Sequence, residues 1–341
     1  MLLAPTPGVL LRRQAEILRG TLPAILDGNE EGIHVARVAT RRVRELLPLI
    51  DHPTAGRVDL AAEFKAIGRA LGKVRDADVQ STLMRYLESR IPAAAPSLVV
   101  VRQKRERKRL ASIRSLIKQL EEREIGGLLD VAGIAARSHV PAWARSRPSW
   151  ERRLRRALVG RAVDARAAIE HATGVYFPNR AHQARIALKK FRYAAEIADE
   201  TAVWAAPEDI RELKKGQDVL GDMHDRQALV DHLTAALDSG SLPLEAGQVQ
   251  LIVQVVEAEV HDLHAKYLAR RSRLVAICGR GESAARINLR RTIPVIAGAA
   301  AASSVVYALI RRASDSSQPA IEAPSRRPVV ALSTVRRGEV T

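Results

Sequence analysis

Apolar and polar positions along most of this chain recur with a helical period. In residues 33–46, IHVARVATRRVREL, an α-helix turning about 100° per residue places Val35, Ala39, Val43 and Leu46 on one side, with Ile50 following them. His34, Arg37, Arg41 and Arg44 fall on the other side, within an arc of about 80°. The same period runs from about Pro7 to Arg273, and no run alternates as a strand between hairpin turns. The pattern predicts an all-α chain with helices over 8–27, 30–50, 57–90, 97–124, 148–172, 178–200, 207–238 and 244–275. Pro, Gly, Asp or Asn occupy the breaks, as helix ends require.

The pattern repeats itself. HVARVATRRVREL aligns with HQARIALKKFRYA about 148 residues later, and FKAIGRALGKVRDADV aligns with LKKGQDVLGDMHDRQA. His34 then matches His182, Arg37 matches Arg185, Lys65 matches Lys214 and Asp76 matches Asp225. A tandem duplication with one helical bundle per copy follows. The organisation expected is a helical region over 8–275, with halves 8–138 and 148–275 meeting in the Pro, Ser and Arg-rich stretch 137–150. A polar linker over 276–291, an apolar segment over 292–310 and a disordered tail over 311–341 follow it.

Charge changes the picture of the helix faces. The 341 residues carry 55 Lys and Arg against 38 Asp and Glu, a formal charge of +17. A surface so charged attracts polyanions: nucleic acid, anionic lipid or phosphate polymers. Aromatic residues make up only 3% of the chain, which disfavours single-stranded nucleic acid, whose binders stack bases on rings. The one cysteine, Cys278, excludes an internal disulfide and a thiolate zinc site. The start MLLAPTPGVLLRRQ has no positive region ahead of an apolar core, so a cytoplasmic location is expected. No Gly-rich phosphate loop is present, and His261 and His264 have metal spacing without a third ligand nearby.

The paired helix of the form H-x-x-R-[VI]-[AT]-x-[KR]-x-x-R, followed each time by LG-x-x-[RH]-D, resembles the CHAD domain family over about residues 8–275. The resemblance implies two tandem pseudo-symmetric four-helix bundles whose basic helices line a central groove binding inorganic polyphosphate, without catalysis or cofactor. It assigns anion binding to His34, Arg37, Arg41 and Arg44 in the first half and to His182, Arg185, Lys189 and Arg192 in the second. Arg42 and Lys190 lie at the edges of those faces, and Lys65 and Lys214 are further candidates. The second half departs from the pattern at His224, which replaces Arg75, and at Gln227, which replaces Asp78.

The residue types suit that ligand. Arginine stays charged at any working pH and forms paired hydrogen bonds to phosphate oxygens. Residues from His34 to Arg44 make a rail about 15 Å long, matched to a linear polymer rather than to one phosphate. A second rail opposite the first lets one chain touch both. Asp76, Asp78, Asp222 and Asp225 are expected to cap helices or hold arginines in place. The basic block 101–114 is expected to be a solvated face. A nucleic-acid backbone gripped without sequence readout is the alternative ligand. The uncharged run 292–310 just reaches the length that spans a bilayer, so a membrane or granule surface is a further candidate partner.

Overall fold

The computed structural model describes residues 4–50, 59–138 and 149–290. They form nine α-helices: α1 Pro7–Leu26, α2 Glu30–Leu46, α3 Leu60–Arg90, α4 Ala95–Glu122, α5 Ile125–Ser138, α6 Ser149–His171, α7 Pro178–Glu200, α8 Pro207–Asp238 and α9 Ala246–Arg290. There is no strand among the described residues. The expected segments 292–310 and 311–341 lie outside the described residues, and no described helix is long and apolar enough to cross a membrane.

Local chemistry sets the starts of these helices. The Thr6 hydroxyl accepts from the Val9 amide ahead of Pro7, the Asn29 side chain accepts from Gly32, and the Asp59 carboxylate accepts from Ala62. Between α1 and α2 the chain reverses at Gly28, whose φ of 67° suits glycine. A Cβ at Gly32 would stand only 2.5 Å from the Ala24 Cβ, so the first two helices approach closely there. α2 stops at Leu46, short of the expected residue 50, and Pro48 sits in the tight 3₁₀ turn Leu47–Leu49 that follows.

Successive helices pack as antiparallel neighbours within each half, α1 to α4 in the first and α6 to α9 in the second. α9 also lies along α6 and closes the second bundle. Its counterpart is split: α4 stops, Glu124 takes φ 45°, and α5 turns to pack on α1. The apolar period predicts no helix over 125–138 and a polar linker over 276–291. α9 instead runs unbroken to Arg290, with Ile277, Cys278 and Ala285 buried in the core.

Two apolar clusters result. The larger joins both halves through residues such as Leu11, Leu18, Phe64, Leu71, Leu158, Leu188, Phe191 and Leu274. The smaller gathers Met84 and Leu87 of α3, Leu98 and Val101 of α4, Leu229 and Leu233 of α8, and Ile252 and Val256 of α9. Each fully buried side chain of this size contributes about 1.5 to 3 kcal/mol. The four long helices therefore reach past the short ones and meet in a shared tip, which leaves α2 and α7 face to face between the clusters.

Candidate functional site

The facing helices α2 and α7 carry the two basic rails, and α3 and α8 supply the walls beside them. The Arg37 guanidinium passes over Gly72 of α3, where an added Cβ would lie 3.7 Å from Nη2. Arg185 passes over Gly221 of α8 in the same way, 3.8 Å from Nε. This explains the glycine in each LG-x-x-[RH]-D motif: the wall is bare backbone where the arginine crosses it. The acid four residues later then meets that arginine. The Asp76 Oδ1 lies 3.2 Å from Arg37 Nη2, and Arg185 is the strongest charge favouring ionisation of Asp225.

Cations from both helices converge. Lys189 is pushed down to about 8 by burial and by the charges of Arg41, Arg185 and Arg37, with Asp76 acting in the opposite sense. Arg37 is lowered by burial first and then by Arg41, and it also feels Arg185. Arg41 donates to the Tyr193 hydroxyl across the interface at 3.1 Å. The groove thus holds Arg37, Arg41, Arg185 and Lys189 against the carboxylates Asp76 and Asp225, and burial raises the pKa of Asp225. Like charges held this close and partly out of water are unfavourable until an anion enters.

Histidines sit at the ends of the rails. His182 and His224 have ring centroids 4.7 Å apart, and the Nδ1 of His182 is buried without a hydrogen-bond partner. Both are held below the ordinary imidazole range by burial and then by Arg185. His34, at the exposed start of α2, is lowered by partial burial and by Arg75. These rings are poised to take up protons when negative charge arrives.

Other residues named from the sequence lie differently. Arg42 turns to α7, where it meets Glu200 at 2.8 Å and Glu196 at 3.2 Å. Arg192 is paired with Glu196, receives support from Gln217 at 2.9 Å, and lies over the Tyr193 ring. These two arginines pin helices together instead of standing open to a ligand. Arg44, Lys65, Lys190 and Lys214 are exposed. The block 101–114 is largely the solvated face expected, with Arg107, Lys108 and Arg114 exposed, but Arg109 is buried, bonded to Asp78 Oδ1 at 2.5 Å and to the Gly28 carbonyl at 2.8 Å. Arg102 is paired with Glu88 at 2.6 Å.

Sequence reasoning missed Tyr193 as a groove partner and the carboxylates of Glu196 and Glu200 as a clamp. Nothing in the helical period pairs them with the first half, although Glu196 and Glu200 sit one turn apart on α7. His264 packs between Tyr176 and Tyr267, and no group of acids, histidines or cysteines among the described residues could hold a metal ion.

Solved structures share this fold. The CHAD domain from the plant Ricinus communis superposes with a TM-score of 0.56 at 21% identity, covering 82% of this chain and 93% of its own. PptA from Streptomyces chartreusis gives 0.53 at 18% identity, covering 82% and 97%. No curated protein matches the chain. The family model described as the CHAD domain matches residues 9–234, which include both rails and both LG motifs, so the chain belongs to the CHAD domain family.

Proposed function

We propose that the groove between α2 and α7 binds inorganic polyphosphate and performs no chemistry on it. The observation that carries this reading is the convergence of Arg37, Arg41, Arg185 and Lys189 from two facing helices on one space, with Asp76 and Asp225 opposing them. A linear chain of oxyanions neutralises such a double row of cations along its length, and each arginine offers it paired donors. Family membership supports the same ligand, because CHAD domains are associated with polyphosphate binding.

Nucleic acid offers phosphates too, but binders of its single strands gain much of their affinity from base stacking, and aromatic residues are only 3% of this chain. Titration of long-chain polyphosphate, duplex DNA and RNA of equal charge, side by side at several salt concentrations, tests the assignment. Polyphosphate is expected to bind tightest, with affinity falling steeply as salt rises. Equal or tighter binding of random duplex DNA at moderate salt overturns it. The apolar stretch 292–310 would tether the domain to a membrane, and release of the full chain by alkaline carbonate would dismiss that tether.

A further inference from the structure

The duplication gives the shared tip two equivalent seams, one where α9 lies beside α3 and one where α4 lies beside α8. Their chemistry is opposite. In the α9–α3 seam Glu259 accepts from the Tyr86 hydroxyl at 2.8 Å and from Arg226 Nε at 2.7 Å, and Arg90 stands 3.6 Å away. One carboxylate accepts from two donors, with a third cation beside it, and closes that side.

Lys108 follows the start of α4 at the same spacing by which Glu259 follows the start of α9. The acid is therefore replaced by a base at the equivalent position. Around Lys108 stand Lys104, whose Nζ reaches the Ser241 carbonyl at 3.3 Å, then Arg105 and, from α8, His232. Arg105 is half-buried, its Nε has no hydrogen-bond partner, and it forms no ion pair with any described carboxylate. The nearby acids are engaged elsewhere: Glu106 lies 3.6 Å from Arg109, and Asp231 accepts from Gln227 at 3.0 Å. Burial pushes His232 down to about 4, with Arg105, Lys108 and Lys104 adding to the effect. A partly buried cluster of bases without a counter-charge is costly unless an anion occupies it.

Its place relative to the groove is fixed by α8. His224, at the end of the groove, and His232 are eight residues apart on one face of that helix, about 12 Å along its axis. We propose that the α4–α8 seam is a second anion subsite, where a polyphosphate chain leaving the groove past His224 is gripped by Arg105 with Lys104, Lys108 and His232. The inference rests on the groove reading above, and it gives the ligand a direction: the chain leaves towards the first half's α4, because the equivalent path is shut by Glu259.

The test is calorimetric titration of the full chain with pyrophosphate, too short to bridge groove and seam, and with long-chain polyphosphate. The variant Lys104→Ala, Arg105→Gln, Lys108→Ala is expected to lose about tenfold or more in long-chain affinity while binding pyrophosphate as before. That unchanged affinity also shows that the variant is folded. Lys108→Glu alone, at an exposed position, gives a milder loss in the same direction and stands in if the triple variant does not fold. Undiminished long-chain affinity in these variants, or an equal loss for both ligands, overturns the seam subsite and leaves the groove reading standing. If the unsubstituted protein binds neither ligand, the groove reading falls and the seam with it.

Discussion

The helices α2 and α7 carry bases at matched positions, yet only part of the match survives in their surroundings. Arg37 and Arg185 cross equivalent glycines, and Arg41 and Lys189 meet them in the middle. Outside the groove the symmetry breaks. Arg42 is clamped by Glu196 and Glu200 while its equivalent, Lys190, is exposed; Arg192 is clamped by Glu196 while its equivalent, Arg44, is exposed. The cause is helix length. α2 ends at Leu46, so its continuation has no helical turn to carry acids, whereas α7 continues through Glu196 to Glu200 and supplies carboxylates to both halves. What stays equivalent faces the groove, and of what diverges, Arg42 ties the first half to the second.

The largest expected effect tests the symmetric part. Arg37→Gln with Arg185→Gln removes one cation from each rail, and each lost phosphate contact should cost about 1 to 3 kcal/mol. Polyphosphate affinity should fall by roughly a hundredfold or more. Lys65→Gln with Lys214→Gln, equally matched between halves but exposed, should cost less than about tenfold, through diffuse attraction alone. Equal losses in the two pairs, measured by titration at one salt concentration, would mean that the ligand sees net charge and no groove. Folding should survive the groove pair, because removing like charges relieves repulsion in the empty protein.

The asymmetric part should appear in stability instead. Arg42→Ala leaves Glu200 without its arginine in a half-buried interface, a loss of about 1 to 3 kcal/mol in urea unfolding. Lys190→Ala at the equivalent position should stay within about 0.5 kcal/mol. If Arg42→Ala weakens polyphosphate binding and leaves unfolding unchanged, that arginine belongs to the groove and the clamp reading is wrong.

Helix existence was legible from apolar periodicity wherever good helix formers carried it. α5 escaped because Gly126, Gly127 and Gly133 occupy three of its fourteen residues, which reads as loop. Packing of Leu128, Leu129 and Ala132 into the core outweighs that poor propensity. Gly279 and Gly281 misled in the same way at the end of α9. A Cβ at Gly281 would come within 2.8 Å of the Phe191 ring, so glycine there permits close helix packing and ends nothing. The groove arginines were legible because the 3.6-residue period and the duplication both select them. Which bases would be clamped was not legible: it depends on Glu196 and Glu200 reaching across to Arg42, and sequence spacing carries no information about partners on another helix.

The histidines give the smallest expected effect and the sharpest contrast between halves, since His224 stands where the first half has Arg75. Burial and Arg185 hold His182 and His224 below the ordinary 6.5 when the groove is empty. The folded, empty protein therefore binds these protons less readily than the unfolded chain, so their contribution lowers stability as pH falls below about 6.5. A bound polyanion acts in the opposite direction and raises both values, so binding takes up protons. Affinity should then rise as pH drops through the bound-state values and level off below the lowered empty-state ones, by a few-fold in all. The double variant His182→Gln, His224→Gln should bind with a flatter pH profile between about pH 5 and 7 while keeping most of its affinity near neutrality. His224→Arg makes the halves alike at this position and should raise affinity above pH 6.5, where the native ring is neutral. A titration series across pH decides the matter: an unaltered slope in the double variant would assign the proton uptake to His34 or to the phosphate chain itself.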